Sequence, residues 1–273
     1  MNQLIFPIII TVFFIIFIAY LLVKGKYLQV FGVESFQDGI PLLDTEIYLI
    51  NLENNTDRLE FFIEQYMNSD LKYKKFNRVN AIDGKTLNIK EYVSPRAYLE
   101  LQQIEKNGFR TKHYQLTRGA VGCYLSHMLT YETFIEDNDK DYGLIFEDDV
   151  KIDPKFFYKL NKALPSIPND WDILLLSCYC IKCEKKDVYY NTERFWWLNS
   201  YVIKRESAKK ILDILKNKLI EQQIDSELSD MIIEDKIKIY CLKDSISRQT
   251  GVFDTTIQMP LKEINGINPY ATL

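Results

Sequence analysis

The chain has 273 residues, 47% hydrophobic and 26% charged, which is enough apolar material for one substantial core and too much for intrinsic disorder. Its formal net charge is -4 and its lysines are scattered, so it lacks the basic face of nucleic-acid-binding proteins and no nucleic-acid partner is expected. The 18 tyrosines and 16 phenylalanines read first as core, with sugar-stacking surfaces as the other use of such side chains.

From Leu4 to Val23 the sequence is apolar apart from small interruptions at Pro7, Thr11, Ala19 and Tyr20. A helix needs about 20 such residues to cross the hydrocarbon core, so residues 1–26 are expected to be a single-pass membrane anchor. No basic side chain precedes the run and no small-x-small site follows it, which argues against a cleaved signal peptide. Residues 27–44, with Gly32, Gly39 and Pro41, read as a juxtamembrane linker. Lys24 and Lys26 follow the anchor, so the positive-inside rule favours a cytoplasmic domain. The odd count of five cysteines agrees with a reducing compartment. Cys178, Cys180 and Cys183 lack the second ligand pair that a zinc site needs.

Behind the linker, residues 45–273 read as one catalytic domain. Glu46 to Leu52 forms a short β-rich run, and Asn54-Asn55-Thr56-Asp57 supplies turn and cap chemistry for a helix to Met67. A strand is expected over Tyr73–Asn80 before the Asp83-Gly84 turn, and a helix between Ser94-Pro95 and Asn107-Gly108. In the next helix, from Thr117 to Asn138, residues Gly119, Gly122, Cys123, Ser126 and Thr130 share one narrow face. Close packing and a bound phosphate are both open readings of that face. Tyr142–Phe146 reads as a buried strand and Pro154 opens a helix. Trp171–Ser177 and Phe195–Ile203 read as strands, and Glu206–Lys216 as a helix. Such alternation predicts an α/β fold with a largely parallel sheet. Within it, Trp196 and Trp197 are expected to pack in the core, with a sugar platform as the alternative.

Glu147, Asp148 and Asp149 directly follow that buried strand. Carboxylates at such a position resist desolvation unless compensated, and a hard cation is the natural partner. The C-terminal edge of an open parallel sheet is also where ligands of such folds bind.

The segments INLENNTDRLEFF (50–62), FNRVNAIDGKTL (76–87), the run from Gly119 to Ile152, WDILLLS (171–177), LNSYVIKRESAKKIL (198–212) and QIDSEL (223–228) resemble glycosyltransferase family 25. The resemblance implies a GT-A Rossmann-like domain, a UDP-sugar donor, a Mn²⁺ or Mg²⁺ ion, and inverting transfer of galactose or glucose to a glycan or protein acceptor. It implies metal ligation by Glu147, Asp148 and Asp149, with Asp148 also near the donor. Asn51, Asp57 and Arg58 match a donor-side motif, and Asp83 and Gly84 a donor-side turn. Gly122 and Ser126 are expected at the phosphates, and His127 to act at the phosphate or acceptor. No histidine follows His127 to complete the metal shell. Asp225 is the expected acceptor base, helix capping being its bland alternative. A Golgi-type relative would face the lumen, against the cytoplasmic reading. The competing functional class is a membrane-anchored binder that kept the fold without the chemistry.

Overall fold

The computed structural model describes residues 44–262 apart from 113, 137, 138, 254 and 256, so the anchor expected over 1–26 and the linker before residue 44 lie outside the described residues. Strands β1 (Thr45–Asn51), β2 (Asn77–Asn80) and β3 (Tyr142–Glu147) pair in parallel. Along β1 and β3 every second side chain falls on the same face. Ile47, Leu49, Leu144 and Phe146 enter one core, and Tyr48, Ile50 and Ile145 the other. Strands covered on both faces need no polar alternation, which explains why YGLIF reads as continuously apolar.

Among the described residues six helices cover the faces: α1 (Thr56–Met67), α2 (Pro95–Asn107), α3 (Arg118–Glu136), α4 (Phe156–Ala163), α5 (Arg205–Lys216) and α6 (Ile224–Ile233). Helices α1 and α4 supply Phe62, Tyr66, Phe156 and Leu160 to the first core. Helices α2, α3, α5 and α6 supply Leu101, Tyr124, Ile211 and Leu228 to the second. The helix ends follow local chemistry. Ser94 caps α2 through a 3.1 Å bond from the Ala97 N–H, and Gly108 ends it at φ 76° in the left-handed region.

The remaining strands are β4 (Val150–Ile152), β5 (Ile173–Leu175), β6 (Tyr179–Lys185), β7 (Tyr189–Trp196), β8 (Ser200–Lys204), β9 (Ile239–Leu242) and β10 (Ser247–Gln249). The main sheet has the order β2-β1-β3-β8-β5-β9-β7-β6, and six of its eight strands point one way, with β8 and β7 reversed. Strands β4 and β10 form a separate antiparallel pair.

Two expected strands change. Tyr73 ends a 3-10 turn (Asp70–Tyr73) capped by Ser69, and the Asp70 carboxylate accepts bonds from the Phe157 and Tyr158 N–H groups at the start of α4. Only Asn77–Asn80 is left to pair as a strand. The run Phe195–Ile203 breaks at Trp197, whose φ is 76°. There the Trp197 N–H goes to the Asp225 carboxylate, and the Asn199 carbonyl takes the Glu147 N–H. The Trp197 N–H is thereby withdrawn from the ladder, which the Asn199 carbonyl resumes against β3.

Four of the five cysteines pair, as Cys178–Cys241 and Cys180–Cys183, and Cys123 is the free one. The odd count is therefore one free thiol beside two bonded pairs, and it no longer speaks for a reducing compartment. Among the described residues no helix is long and apolar enough to cross a membrane.

The small-residue face of α3 is a packing face at Gly122. A Cβ there would meet the Ile82 carbonyl oxygen at 2.4 Å and the Gly84 nitrogen at 2.6 Å. A Cβ on Gly84 would in turn meet the Arg118 carbonyl oxygen at 1.8 Å. All three opposing atoms are backbone and cannot rotate away. Gly122→Ala should therefore cost about 1–3 kcal/mol by overpacking and lower the thermal midpoint by several degrees. Gly251→Ala, whose Cβ meets nothing within 4 Å, is the control for the same melting measurement.

Candidate functional site

Parallel pairing of β1 and β3 sets Ile50 beside Glu147, so the two strands end together and Asn51 meets the acids that follow β3. The Asn51 Nδ2 donates to Asp148 Oδ2 at 2.7 Å. Arg58, one turn into α1, reaches back over the same edge. Its Nη1 donates to Asp148 Oδ1 at 3.0 Å and its Nη2 to Asp149 Oδ2 at 2.9 Å. Arg58 is buried and packs over the Phe253 ring at 5.2 Å, so it is the internal counter-charge of two acids rather than a surface helix charge. The fixed fork of guanidinium suits this double duty, and lysine would not reproduce it.

The acids differ in what is left to them. Both oxygens of Asp148 are taken. Burial pushes its carboxyl above the ordinary range, against the opposing pull of Arg58 and Asn51. Gln249 of β10 adds a 3.0 Å bond to Asp149 Oδ2, and the Asp149 carbonyl accepts from the Thr250 N–H. Asp149 Oδ1 is buried without a hydrogen-bond partner among the described residues. Burial first, then the nearby Glu147 charge, push the Asp149 carboxyl up to about 6. A buried carboxylate oxygen with no donor, flanked by a second acid, is the arrangement that a hard divalent cation fits.

Glu147 faces a different set. His127 is fully buried on α3, its Nδ1 2.8 Å from the Tyr201 hydroxyl and its Nε2 3.3 Å from Glu147 Oε1. The Tyr201 hydroxyl donates onward to Tyr131 at 3.0 Å. Cys123 Sγ lies 3.7 Å from the same Glu147 oxygen, and burial with the Glu147 charge pushes its thiol well up. His127 lines neither cavity described below, and its contact with Glu147 ties it to the wall of both.

A cleft of about 390 Å³ opens over this edge, bounded by Asn51, Arg58, Asp83, Gly84, Ser126 and the acid triplet among others. A second cavity of about 160 Å³ is lined by Trp197, Asn199, Gln223, Asp225 and Gln258. The two share Cys123, Glu147, Gln249, Thr255 and Ile257 as a common wall. Asp225, in the first turn of α6, is buried and accepts from the Trp197 N–H at 3.2 Å and the Ser226 N–H at 2.8 Å. Burial outweighs those donors and pushes its carboxyl up to about 6.

The expected donor-side residues also have structural work. Asp57 is exposed in the first turn of α1, where an acid suits the helix dipole, and it does not line the cleft. Gly122 is covered by the 82–84 loop, and Gly84 borders the cleft while serving the same close contact. Ser126 accepts from the Ile82 N–H at 2.8 Å and donates to the Gly122 carbonyl, which pins that loop. Asp83 caps the turn that follows, accepting from the Lys85 N–H at 2.9 Å. The sequence reading missed Gln249 and Phe253, which reach the site from about a hundred residues beyond the triplet without a local motif. The expected core packing of Trp197 also fails, because its ring is 46% exposed.

Arg58 sets a stability test. Arg58→Met strands two buried carboxylates, a loss of about 3–5 kcal/mol at pH 8. Asp149 titrates near 6, so the loss should shrink at pH 5, where protonation removes the charge that Arg58 balanced. Denaturant titrations at the two pH values check it, and equal losses would overturn the charge account.

The model of glycosyltransferase family 25 (LPS biosynthesis protein) matches residues 44–228. Procollagen galactosyltransferase 2 of Homo sapiens is 27% identical over 179 residues, covering 61% of this chain and 27% of that protein. A putative glycosyltransferase of Haemophilus influenzae is 23% identical over 235 residues, covering 80% of this chain and 77% of that one. A probable inactive glycosyltransferase 25 family member 3 of Bos taurus is 24% identical, covering 61% of this chain and 28% of its own. The chain thus spans only about a quarter of the animal proteins it matches. With more than half of its residues matched by the family model, the chain belongs to glycosyltransferase family 25.

Proposed function

We propose that the chain is a metal-dependent, inverting glycosyltransferase of GT-A type that moves galactose or glucose from a UDP-sugar to a hydroxyl of a glycan or protein. The observation that carries this reading is the shared wall: a cleft sized for a small-molecule ligand and a smaller cavity containing Asp225 meet at Glu147. The larger cleft suits the nucleotide-sugar, the smaller the acceptor. Asp225 takes the proton of the acceptor hydroxyl as its oxygen bonds to the anomeric carbon, and the nucleoside diphosphate leaves with the bond pair. Asp149, with Glu147 beside it, would hold Mn²⁺ or Mg²⁺, while Asp148 is held by Arg58 and Asn51 as the support behind. When bound, the ion supplies counter-charge for the leaving diphosphate. The anchor expected at 1–26 would keep the domain at a membrane, and its cytoplasmic or lumenal side is a question for protease protection of sealed vesicles.

Arg58 gives specific support to a second reading, a sugar-nucleotide binder without transfer. Its two ion pairs already offset the charge that a cation would neutralise. Release of nucleoside diphosphate by the full chain in detergent, screened across UDP-, GDP- and CMP-sugars with and without EDTA, separates the two. Turnover undiminished in excess EDTA would sink the metal role.

Two substitutions carry the mechanism. Asp149→Asn should weaken the Mn²⁺ dependence and lower kcat more than it lowers the melting temperature, because the diphosphate charge develops in the transition state. An unchanged metal optimum removes Asp149 as ligand. Asp225→Asn should lower kcat by ~100-fold or more. For wild type, kcat/KM should fall as pH drops through about 6, as the base takes a proton. The stability sign is opposite. A folded pKa above the unfolded value of about 3.9 means that the charge costs stability from about pH 4 upward, fully above about 6. Asp225→Asn should therefore raise the melting temperature at pH 8 and leave it nearly unchanged at pH 4.

A further inference from the structure

Beside the second cavity lies a group of aromatic side chains that no core packing explains. Tyr179 and Trp196 are cross-strand partners on β6 and β7, with rings stacked at 5.3 Å and 12°. The Trp197 ring leans on Tyr179 at 5.6 Å. Tyr179 is 50% and Trp197 46% exposed, whereas Trp171 is 3% exposed. Trp197 also sits at φ 76°, a conformation that a bulky side chain adopts only when its surroundings hold it there. What holds it is the bond from its own N–H to Asp225. Trp197, which lines the cavity, thus also holds the Asp225 carboxylate of the same lining through its backbone.

The cavity wall carries a second, independent sign of a ligand. Asn199 is 1% exposed, and its Nδ2 is buried with no partner among the described residues, although its Oδ1 accepts from Ser177 and Ser200. Gln258 Oε1, on the same lining, is likewise buried and unpartnered. One stranded donor and one stranded acceptor beside an exposed aromatic shelf match a ligand with an apolar ring face and hydroxyls that both give and take hydrogen bonds. That is a pyranose.

We infer that Tyr179 and Trp197 form an acceptor shelf, and that the acceptor is a saccharide rather than a bare peptide hydroxyl. This inference rests on the transferase reading above and narrows its acceptor class. One ring of the saccharide lies on the shelf, and its hydroxyls pair with Asn199 Nδ2 and Gln258 Oε1. The acceptor hydroxyl then stands at Asp225.

The chain has three tryptophans, and Trp171 is buried, so the shelf dominates any ligand-induced change in emission. The full chain in detergent micelles is titrated with methyl β-galactoside, methyl β-glucoside, lactose and N-acetyllactosamine, and with a serine-rich peptide. At least one saccharide should give a saturable emission change and accept sugar from the donor, and the peptide should do neither. Tyr179→Ala keeps all three tryptophans and should weaken that saccharide's binding on the order of tenfold, as a rise in acceptor KM larger than any fall in kcat. Trp197→Ala should do the same and Trp197→Phe should largely restore it, with circular dichroism to confirm folding. The shelf is refuted by a panel in which no saccharide changes emission, by variants that bind as wild type does, or by transfer to the peptide alone. Donor hydrolysis in the same preparation keeps the two readings apart: hydrolysis without any saccharide response ends the shelf only, and absent hydrolysis with every donor ends the transferase reading.

Discussion

One guanidinium between two buried carboxylates organises the C-terminal edge of the sheet. Arg58 bonds Asp148 and Asp149 together, Asn51 holds Asp148 from β1, and Gln249 holds Asp149 from β10. Three distant stretches of chain converge because two desolvated negative charges need donors and one strand cannot supply them all. The convergence is incomplete: Asn51 Oδ1, Arg58 Nε and Asp149 Oδ1 are buried without a hydrogen-bond partner among the described residues. Of these only Asp149 Oδ1 belongs to a carboxylate. An edge built for rigidity alone would have satisfied it, and the residual oxygen is the part of the structure that faces outward chemically.

Glu147 belongs to the same triplet by sequence and to a different network by contact. Strand alternation turns it away from Arg58 and toward His127, whose other nitrogen is tied to a buried pair of tyrosines. It is also the wall common to both cavities. Three consecutive acids therefore divide the labour, one supported from behind, one left with a free oxygen and one poised between two spaces. Sequence adjacency alone conveys none of this division.

How much of this was readable beforehand depends on distance along the chain. The anchor-like run, the YGLIF strand, the capped α2 and the triplet at the sheet edge are local patterns, and those among the described residues appear where periodicity and capping rules put them. The largely parallel sheet followed from element alternation, although the reversal of β8 and β7 did not. Gly122 and Gly84 were visible as small residues, yet only the folded structure shows that the Ile82, Gly84 and Arg118 backbone fills the space their Cβ atoms would need. Trp197 was misplaced because FWWLNSYVI has strand composition throughout, and the break comes where Asp225 claims the Trp197 N–H and the backbone turns to φ 76°. Local signals carry elements, whereas a site made by residues a hundred positions apart carries no local signal.

That separation has a consequence in time as well as in space. Strand β10 pairs with β4, and Gln249 closes on Asp149 from 100 residues further along the chain. During synthesis the triplet leaves the ribosome well before its last partner, at ~5–20 residues per second. A nascent domain therefore passes through a stage in which β1, β2 and β3 are made and the acid edge still lacks Gln249. Completion of the centre is coupled to the arrival of β10, the last of the described strands, so the acid edge gains its final partner late, long after the strand that carries it has been made.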